Sequence, residues 1–309
     1  MGIRVPDLSG KFFMKPTSGQ RTCLITGSRG YLGGCVKARF QRAGWNVVEL
    51  TRNPGAEEVR EGRAIQFRLG DEISAGQLPG ADALVHCAHD FTLHDWKKIH
   101  AVNVLGAEKL FQAARAAGIA RLVFISSMSA FEGCQSLYGR AKLEIEKRLQ
   151  PLGAFLVRPG LIYGDQPGGI FGNLVKQAGH AFALPLLGGG RQVLHLTHQD
   201  DLCELILRQA ASDVSAGPEP VTAAHEQGWS FRSILEELAR AQGRRARFVP
   251  VPWRLAWLVI KTGEVCRLPL KFRSDSLVSL MNQNPRPSFE LTRRLGLKFR
   301  PFQPGTLKL

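Results

Sequence analysis

Several features that would fix a function at once are missing from these 309 residues. The six cysteines, at 23, 35, 87, 134, 203 and 266, include no Cys-x-x-Cys pair. That excludes the common zinc frames and a disulfide framework, predicts no metal site, and fits a reducing compartment. No apolar run approaches the ~20 residues of a membrane-spanning helix. The opening stretch MGIRVPDLSGKFFMKPTSGQ lacks the continuous apolar core of a secretory signal, so a cytoplasmic protein is expected. There is no internal repeat, no low-complexity tract, and no helix-turn-helix, finger or aromatic-interleaved RNA motif, so no nucleic-acid partner is expected. Acids are scarce: 26 Asp and Glu face 41 Lys and Arg, for a net charge of +15. Most of the excess lies between Arg240 and Leu309, where 15 cations meet only Glu264, Asp275 and Glu290. Such a field draws anions, whether a phosphorylated substrate or an acidic membrane surface, or is simply the high pI of a soluble protein.

What is present alternates between strand and helix. Thr22–Thr26 is a short apolar run of strand type, followed at once by Gly27-Ser28-Arg29-Gly30-Tyr31-Leu32-Gly33 and then helical periodicity through Val36, Phe40 and Ala43. Strand, glycine turn, helix is the context that makes a glycine pattern a dinucleotide fingerprint. Gly27 permits the turn, Gly30 lets the backbone approach a pyrophosphate, and Gly33 allows close helix–strand packing. The diphosphate belongs at the positive end of the helix. A second strand, Trp45 to Leu50, ends in Thr51-Arg52 where an NAD site usually has an acid for the ribose. Glu49 is an uncertain candidate for that role, whereas Arg29 and Arg52 are placed to meet a 2′-phosphate. NADP(H) is therefore favoured as cofactor over NAD(H).

Further along, Ala64–Phe67 alternates and leads to Gly70-Asp71, with Asp71 placed for the adenine amino group. The strand Ala83–Ala88 ends at Cys87 and Ala88, where the nicotinamide half would lie. From Asp95 to Gly118 the periodicity predicts one long helix with Ile99, Val102, Leu105, Leu110 and Phe111 inward. Asn103 falls inside it, as a structural polar group or as a brace of the site. Then Leu122–Ile125 reads as a strand buried on both faces, ending in Ser126 and Ser127. A helix from Tyr138 to about Gln150 sets Tyr138 and Lys142 on one face, four residues apart. A phenol with pKa ~10 is a poor acid–base catalyst alone, and a neighbouring ammonium is expected to pull it down. Phe155–Gly160 is the sixth strand.

The fold class predicted is α/β, a Rossmann-type doubly wound parallel sheet with a smaller mixed C-terminal domain. Residues 20–165 form the dinucleotide domain, with a returning segment at about 191–224. Residues 166–190 and 225–309 cover the carboxyl ends of the strands, where ligands of open sheets bind. Residues 252–270, PWRLAWLVIKTGEVCRLPL, are apolar on nearly every helical face and flanked by cations. That stretch suits a core or dimer-interface helix, or else a peripheral membrane contact or lipophilic substrate wall.

In order, TGSRGYLGG at 26–34, GD at 70–71, VNVLGAEKLFQAA at 102–114, VFISS at 123–127, YGRAK at 138–142 and VRPGLIYG at 157–164 resemble the extended short-chain dehydrogenase/reductases of the NAD-dependent epimerase/dehydratase type. The aspartate pair at 200–201 and ELTRRLGLKFRP at 290–301 agree with it. The resemblance implies Ser127, Tyr138 and Lys142 as the catalytic trio, Ser127 matching better than Ser126 or Ser129. It also implies Asp71 as the adenine contact and Pro159-Gly160-Leu161 as the backbone beside the carboxamide. Two departures stand against a standard UDP-hexose substrate. Only ten residues separate Ser127 from Tyr138, and Leu194 stands where such enzymes carry an arginine. Ser129 and Arg191 are the remaining substrate candidates.

The function so implied is an oxidoreductase or epimerase acting at a secondary alcohol or carbonyl carbon of a nucleotide sugar, or of a similar anionic or lipophilic small molecule. The alternative is a non-catalytic NADP(H)-binding sensor or assembly subunit that keeps the fold. The resemblance further suggests a homodimer.

Overall fold

A computed structural model describes residues 19–306, apart from 181–182, 213–216, 218, 267 and 269–271. Of the opening stretch, residues 1–20, only the last two positions are described, and part of the 252–270 stretch likewise falls outside.

The first half of the chain runs β1 (Thr22–Thr26), α1 (Tyr31–Arg42), β2 (Asn46–Thr51), α2 (Ala56–Arg60), β3 (Ala64–Gln66) and β4 (Ala83–His86). It continues with α3 (Trp96–Ile99), α4 (Gly106–Ala116), β5 (Arg121–Ile125), α5 (Leu137–Leu149) and β6 (Phe155–Pro159). Next come β7 (Leu161–Tyr163), α6 (Gly169–His180), β8 (Leu184–Leu187), β9 (Val193–His198), α7 (Gln199–Ala211) and β10 (Val221–Ala223). The last part holds β11 (Gly228–Ser230), α8 (Phe231–Ala241), β12 (Phe248–Val251), α9 (Trp253–Val265), α10 (Ser274–Met281) and α11 (Glu290–Arg294).

Seven parallel strands form the main sheet in the order β10-β6-β5-β4-β1-β2-β3. Period-2 alternation explains why both faces are buried. Cys23 and Ile25 pack with Val36 and Phe40 of α1 and with Leu202, Leu205 and Ile206 of α7. Leu24 points the other way, into a cluster with Leu110 and Phe111 of α4 and Ile145 of α5. Helices therefore cover the two sides, as the apolar runs require. Strand order reverses between β1 and β4, and the crevice at such a switch point is where open α/β sheets bind ligands.

A smaller mixed sheet, β11-β9-β7, and a parallel pair, β12-β8, lie beyond the main one. The chain enters this layer at Gly160, where an added Cβ would stand 2.1 Å from His195 O. From it α7 and β10 return to the main sheet while β9 stays in the smaller one.

The expected long helix after Asp95 is present, its backbone right-handed helical through Ile99, His100, Leu105 and Gly106, but it widens partway. Asp95 caps α3, accepting from Lys98 N–H at 3.1 Å, and His100–Leu105 then forms a π-helical stretch before α4. The wider turn carries Val102 and Leu105 partly out of the core and turns Asn103 and Val104 in. Apolar spacing alone does not register one added residue per turn.

Candidate active site

The glycine turn is shaped by backbone contacts that leave no room for side chains. Gly27 has φ +71°, and an added Cβ would lie 2.9 Å from Ala88 N. A Cβ on Gly33 would lie 2.1 Å from Gly27 O. Gly30 N–H donates to Gly27 O (2.9 Å) and Gly34 N–H to Gly30 O (2.8 Å), so the turn feeds directly into α1. Ala88 N–H donates to Thr26 Oγ1 at 3.2 Å, which ties the end of β4 to the end of β1. This bare cradle at a helix N-terminus fits the diphosphate of a nicotinamide dinucleotide.

Around it the side chains divide. Glu49 is buried beside the glycine turn, with Arg29 Nε 4.0 Å from its carboxylate. Its carboxylate accepts from Ser28 Oγ (2.5 Å) and pairs with Lys37, and those partners hold it below the usual carboxylate range against the cost of burial. Arg29 donates to Asn53 O (2.7 Å) and to Glu58 (2.8 Å), which holds its guanidinium at the carboxyl end of β2. Arg52 is exposed beside it. Leu32 packs against the core under the turn, and the Tyr31 hydroxyl donates to Gln199 Oε1 at 2.7 Å. Asp71 stands exposed after Gly70, whose backbone packs so tightly on α4 that a Cβ on Gly106 would reach it at 2.6 Å.

On the other side of the switch point, Tyr138 and Lys142 project from α5. Two carboxyl or hydroxyl caps fix the start of that helix: Ser136 Oγ accepts from Gly139 N–H (3.0 Å), and Asp275 of α10 accepts from Leu137 N–H (2.7 Å) and Tyr138 N–H (3.0 Å). A Cβ on Gly139 would lie 2.2 Å from Ser129 O, so the helix sits directly on the Ser127–Ser129 turn. Ser127, whose Oγ accepts from Ser129 N–H at 3.1 Å, lies near enough to the Tyr138 hydroxyl to favour its ionised form. Lys142 is buried, donates to Ile125 O at 2.7 Å, and lies 5.8 Å from the centre of the Tyr138 ring.

The charge states differ from the expectation. Burial raises the Tyr138 phenol to about 12, against a lowering contribution from Ser127. Burial lowers the Lys142 amine to about 8, with Cys87 and Glu146 opposing. The ammonium is bonded to a backbone carbonyl and lies over the Phe124 ring at 4.6 Å, closer than it comes to the Tyr138 ring. Desolvation therefore outweighs the ion, and the phenol is held protonated.

Of the other expected residues, Asn103 has both amide ends on Asp90, accepting from its N–H (2.7 Å) and donating to its carbonyl (3.3 Å). It braces the loop after β4. Ser129 Oγ is hydrogen-bonded with Ser279 of α10 (3.1 Å). Pro159 O accepts from Met128 N–H (3.0 Å), Gly160 N–H donates to Thr197 Oγ1 (2.9 Å), and Leu161 opens β7. Cys87 follows β4 beside Ala88. Arg191 stands exposed after the turn Gly188–Gly190, with no contact to Ser127, Tyr138 or Lys142 among the described residues.

Sequence reasoning missed His89 and Phe91. The His89 ring meets the Tyr138 ring edge-on at 5.1 Å, and Phe91, about half exposed, stacks on it at 5.6 Å. His89 Nδ1 is buried without a partner, and burial, with Lys142 next, drives its imidazole well below the ordinary range. The signal was its place: a loop at the carboxyl end of a strand flanking the switch point. Asp275, 137 residues from Tyr138, carried none.

Fold and cradle together define an enzyme of the nicotinamide-dinucleotide class, an oxidoreductase or epimerase. The chain belongs to the NAD dependent epimerase/dehydratase family, whose pattern it matches over residues 23–222. It is 26% identical over 242 residues to the ceramide reductase of Caulobacter vibrioides, covering 76% of this chain and 75% of that one. It is 26% identical over 266 residues to the 4-hydroxy-2-methyl-3-oxo-4-farnesyl-3,4-dihydroquinoline-1-oxide ketoreductase of Stigmatella aurantiaca, covering 78% and 79%. Among solved structures, MoeE5 in complex with UDP-glucose and NAD shares the fold, with TM-score 0.65, 19% identity, and 89% and 99% of the two chains covered.

Proposed function

We propose that this protein is an NADP(H)-linked reductase of a ketone carried on a lipophilic molecule, with Tyr138 as the proton donor. The observation that carries the reading is the surroundings of Tyr138. Its hydroxyl, with Ser127 close by, is kept protonated by burial, and its ring is walled by His89 and Phe91. Aromatic walls suit an apolar substrate, and relatives named for ceramide and a farnesyl-bearing ketone point the same way.

Bound NADPH would supply the hydride to the carbonyl carbon. As the C=O π pair moves to oxygen, Tyr138 gives that oxygen its proton, and ketone plus hydride plus proton become a secondary alcohol. Ser127 donates a hydrogen bond to the same oxygen and orients it. Lys142, its charge over the ring, stabilises the phenolate left behind until solvent restores the proton. Arg29 and Arg52, both at the end of β2, are the groups for the 2′-phosphate.

The test is turnover of NADPH with long-chain ketones beside UDP-hexoses, for the native protein and for Tyr138→Phe. The expected result is net NADPH oxidation with the ketones, lost by roughly 10²–10⁴-fold in the variant, with NADPH affinity unchanged. Interconversion of a UDP-hexose with no net change in cofactor would replace this reading with an epimerase. Equal loss of NADPH binding and turnover would make Tyr138 a structural residue.

A further inference from the structure

Helix α9 is the least buried long helix near the cleft. Of its 13 residues only Gly263 is buried. Trp253, Trp257 and Ile260 lie half-buried on the side toward the protein. The opposite face shows Leu255, Leu258, Val259 and Val265, between 55% and 74% exposed. The spacing is i, i+3, i+4, i+10, one stripe of a helix. Arg254 stands exposed beside it, over the Trp253 ring at 5.8 Å, and Lys261 is on the next turns, 3.6 Å from Glu264.

We propose that this face of α9 is a docking surface for an anionic lipid bilayer. Two things select that occupant. The surrounding sequence is cationic: from Arg240 to Asp275 nine Lys and Arg accompany only Glu264 and Asp275. Polybasic segments next to an apolar stripe are drawn to an acidic leaflet, and a helix with apolar residues such as Leu on its outer face and Lys or Arg beside it lies in the headgroup plane. The stripe is also small. A helix of this length is about 20 Å long and 10 Å wide, well short of the ~800 Å² per partner of a stable protein interface. No helix among the described residues is long and apolar enough to cross a membrane, so the attachment is peripheral.

The position of α9 gives the docking a purpose. Glu264 at its end accepts from Ser274 N–H and Oγ (both 2.7 Å), and the next residue, Asp275, caps the helix that carries Tyr138. His94, in the loop that also bears His89 and Phe91, lies 3.8 Å from Glu264. Arg273 donates to Leu93 O of the same loop at 2.6 Å. The bilayer face is thus built into the rim of the cleft.

The experiment is flotation of the full-length protein with vesicles of pure phosphatidylcholine and with vesicles containing phosphatidylglycerol, at low and high salt. Native protein, the double variant Leu258→Gln/Val259→Gln, and Arg254→Glu are compared, with Tm and NADPH binding as folding controls. Native protein is expected to float with the anionic vesicles at low salt, and the double variant to bind about tenfold or more weakly with both controls unchanged. Absence of native binding, or equal binding by the double variant, overturns the proposal. So does a native dimer that this variant dissociates, which would make the stripe a contact between copies of the chain. Binding needs no turnover, so vesicle attachment without ketone reduction would defeat only the functional reading above.

Discussion

The carboxylate of Asp275 closes a bond onto the backbone N–H of Tyr138 at 3.0 Å, and its other oxygen takes Leu137 N–H at 2.7 Å. A residue of α10 thereby satisfies two of the free donors that start α5. It fixes the first turn of the helix from which the phenol projects, and it does so without touching the reacting atoms. If Tyr138 is the proton donor proposed above, Asp275 is a positioning residue.

Replacing it should separate geometry from binding. Asp275→Ala is expected to cost about 1–2 kcal/mol of stability, the range for lost caps. It is also expected to lower kcat by roughly tenfold or more, since small misplacements of a catalytic group are expensive. NADPH affinity should stay within about twofold, because the glycine turn lies on other elements. Asp275→Asn, which keeps one acceptor, should recover part of kcat. Thermal melts, kcat and cofactor titration on the same samples decide it; a stability loss with kcat unchanged would leave Asp275 a purely structural cap.

The proposed preference for NADPH rests on two arginines in unequal states. Arg29 is held by Asn53 O and Glu58, while Arg52 is exposed at the strand end. Arg52→Ala should weaken NADPH by roughly 10–100-fold, as expected for a charge-assisted bond, and leave NADH nearly unchanged. Parallel titrations of the two cofactors measure this directly. Identical effects on both would remove the 2′-phosphate assignment.

Stability on the acid side should be governed in part by His86. It is fully buried, hydrogen-bonded with Thr26 Oγ1 at 2.8 Å, and burial lowers it from 6.5 to about 3. The unfolded chain takes up that proton below its ordinary pKa and the folded protein does not until about pH 3. The stabilisation is therefore complete above pH 6.5 and is lost as pH falls toward 3, at about 1.4 kcal/mol per pH unit. Urea unfolding between pH 6.5 and 4.5 should show a steeper decline for the native protein than for His86→Asn, which starts less stable. Parallel declines would mean that His86 is protonated in the folded state.

The parallel sheet was readable because buried strands announce themselves as short apolar runs, and six of its strands fall within a residue or two of the predicted ones. The cradle was equally plain, since only glycine tolerates the contacts at Gly27 and Gly33. Less visible was the π-helical stretch at His100–Leu105, which changes the buried face without changing composition. The direction of the Tyr138 shift was misread for a related reason. A spacing of four states that Lys142 is near, but not that its charge is bonded to Ile125 O while burial acts on the phenol. Asp275 and His89 reach the site through the fold, and a linear sequence carries no sign of that distance.

The backbone passes between the main and smaller sheets at Gly160, again where β9 gives way to α7, and again between β10 and β11. A layer stitched on by three seams cannot be lifted away as a cassette. Diversification of such a chain would have to proceed in place, by resculpting rim loops and surface helices such as α9, so that new chemistry at the mouth is gained without ever exchanging the roof.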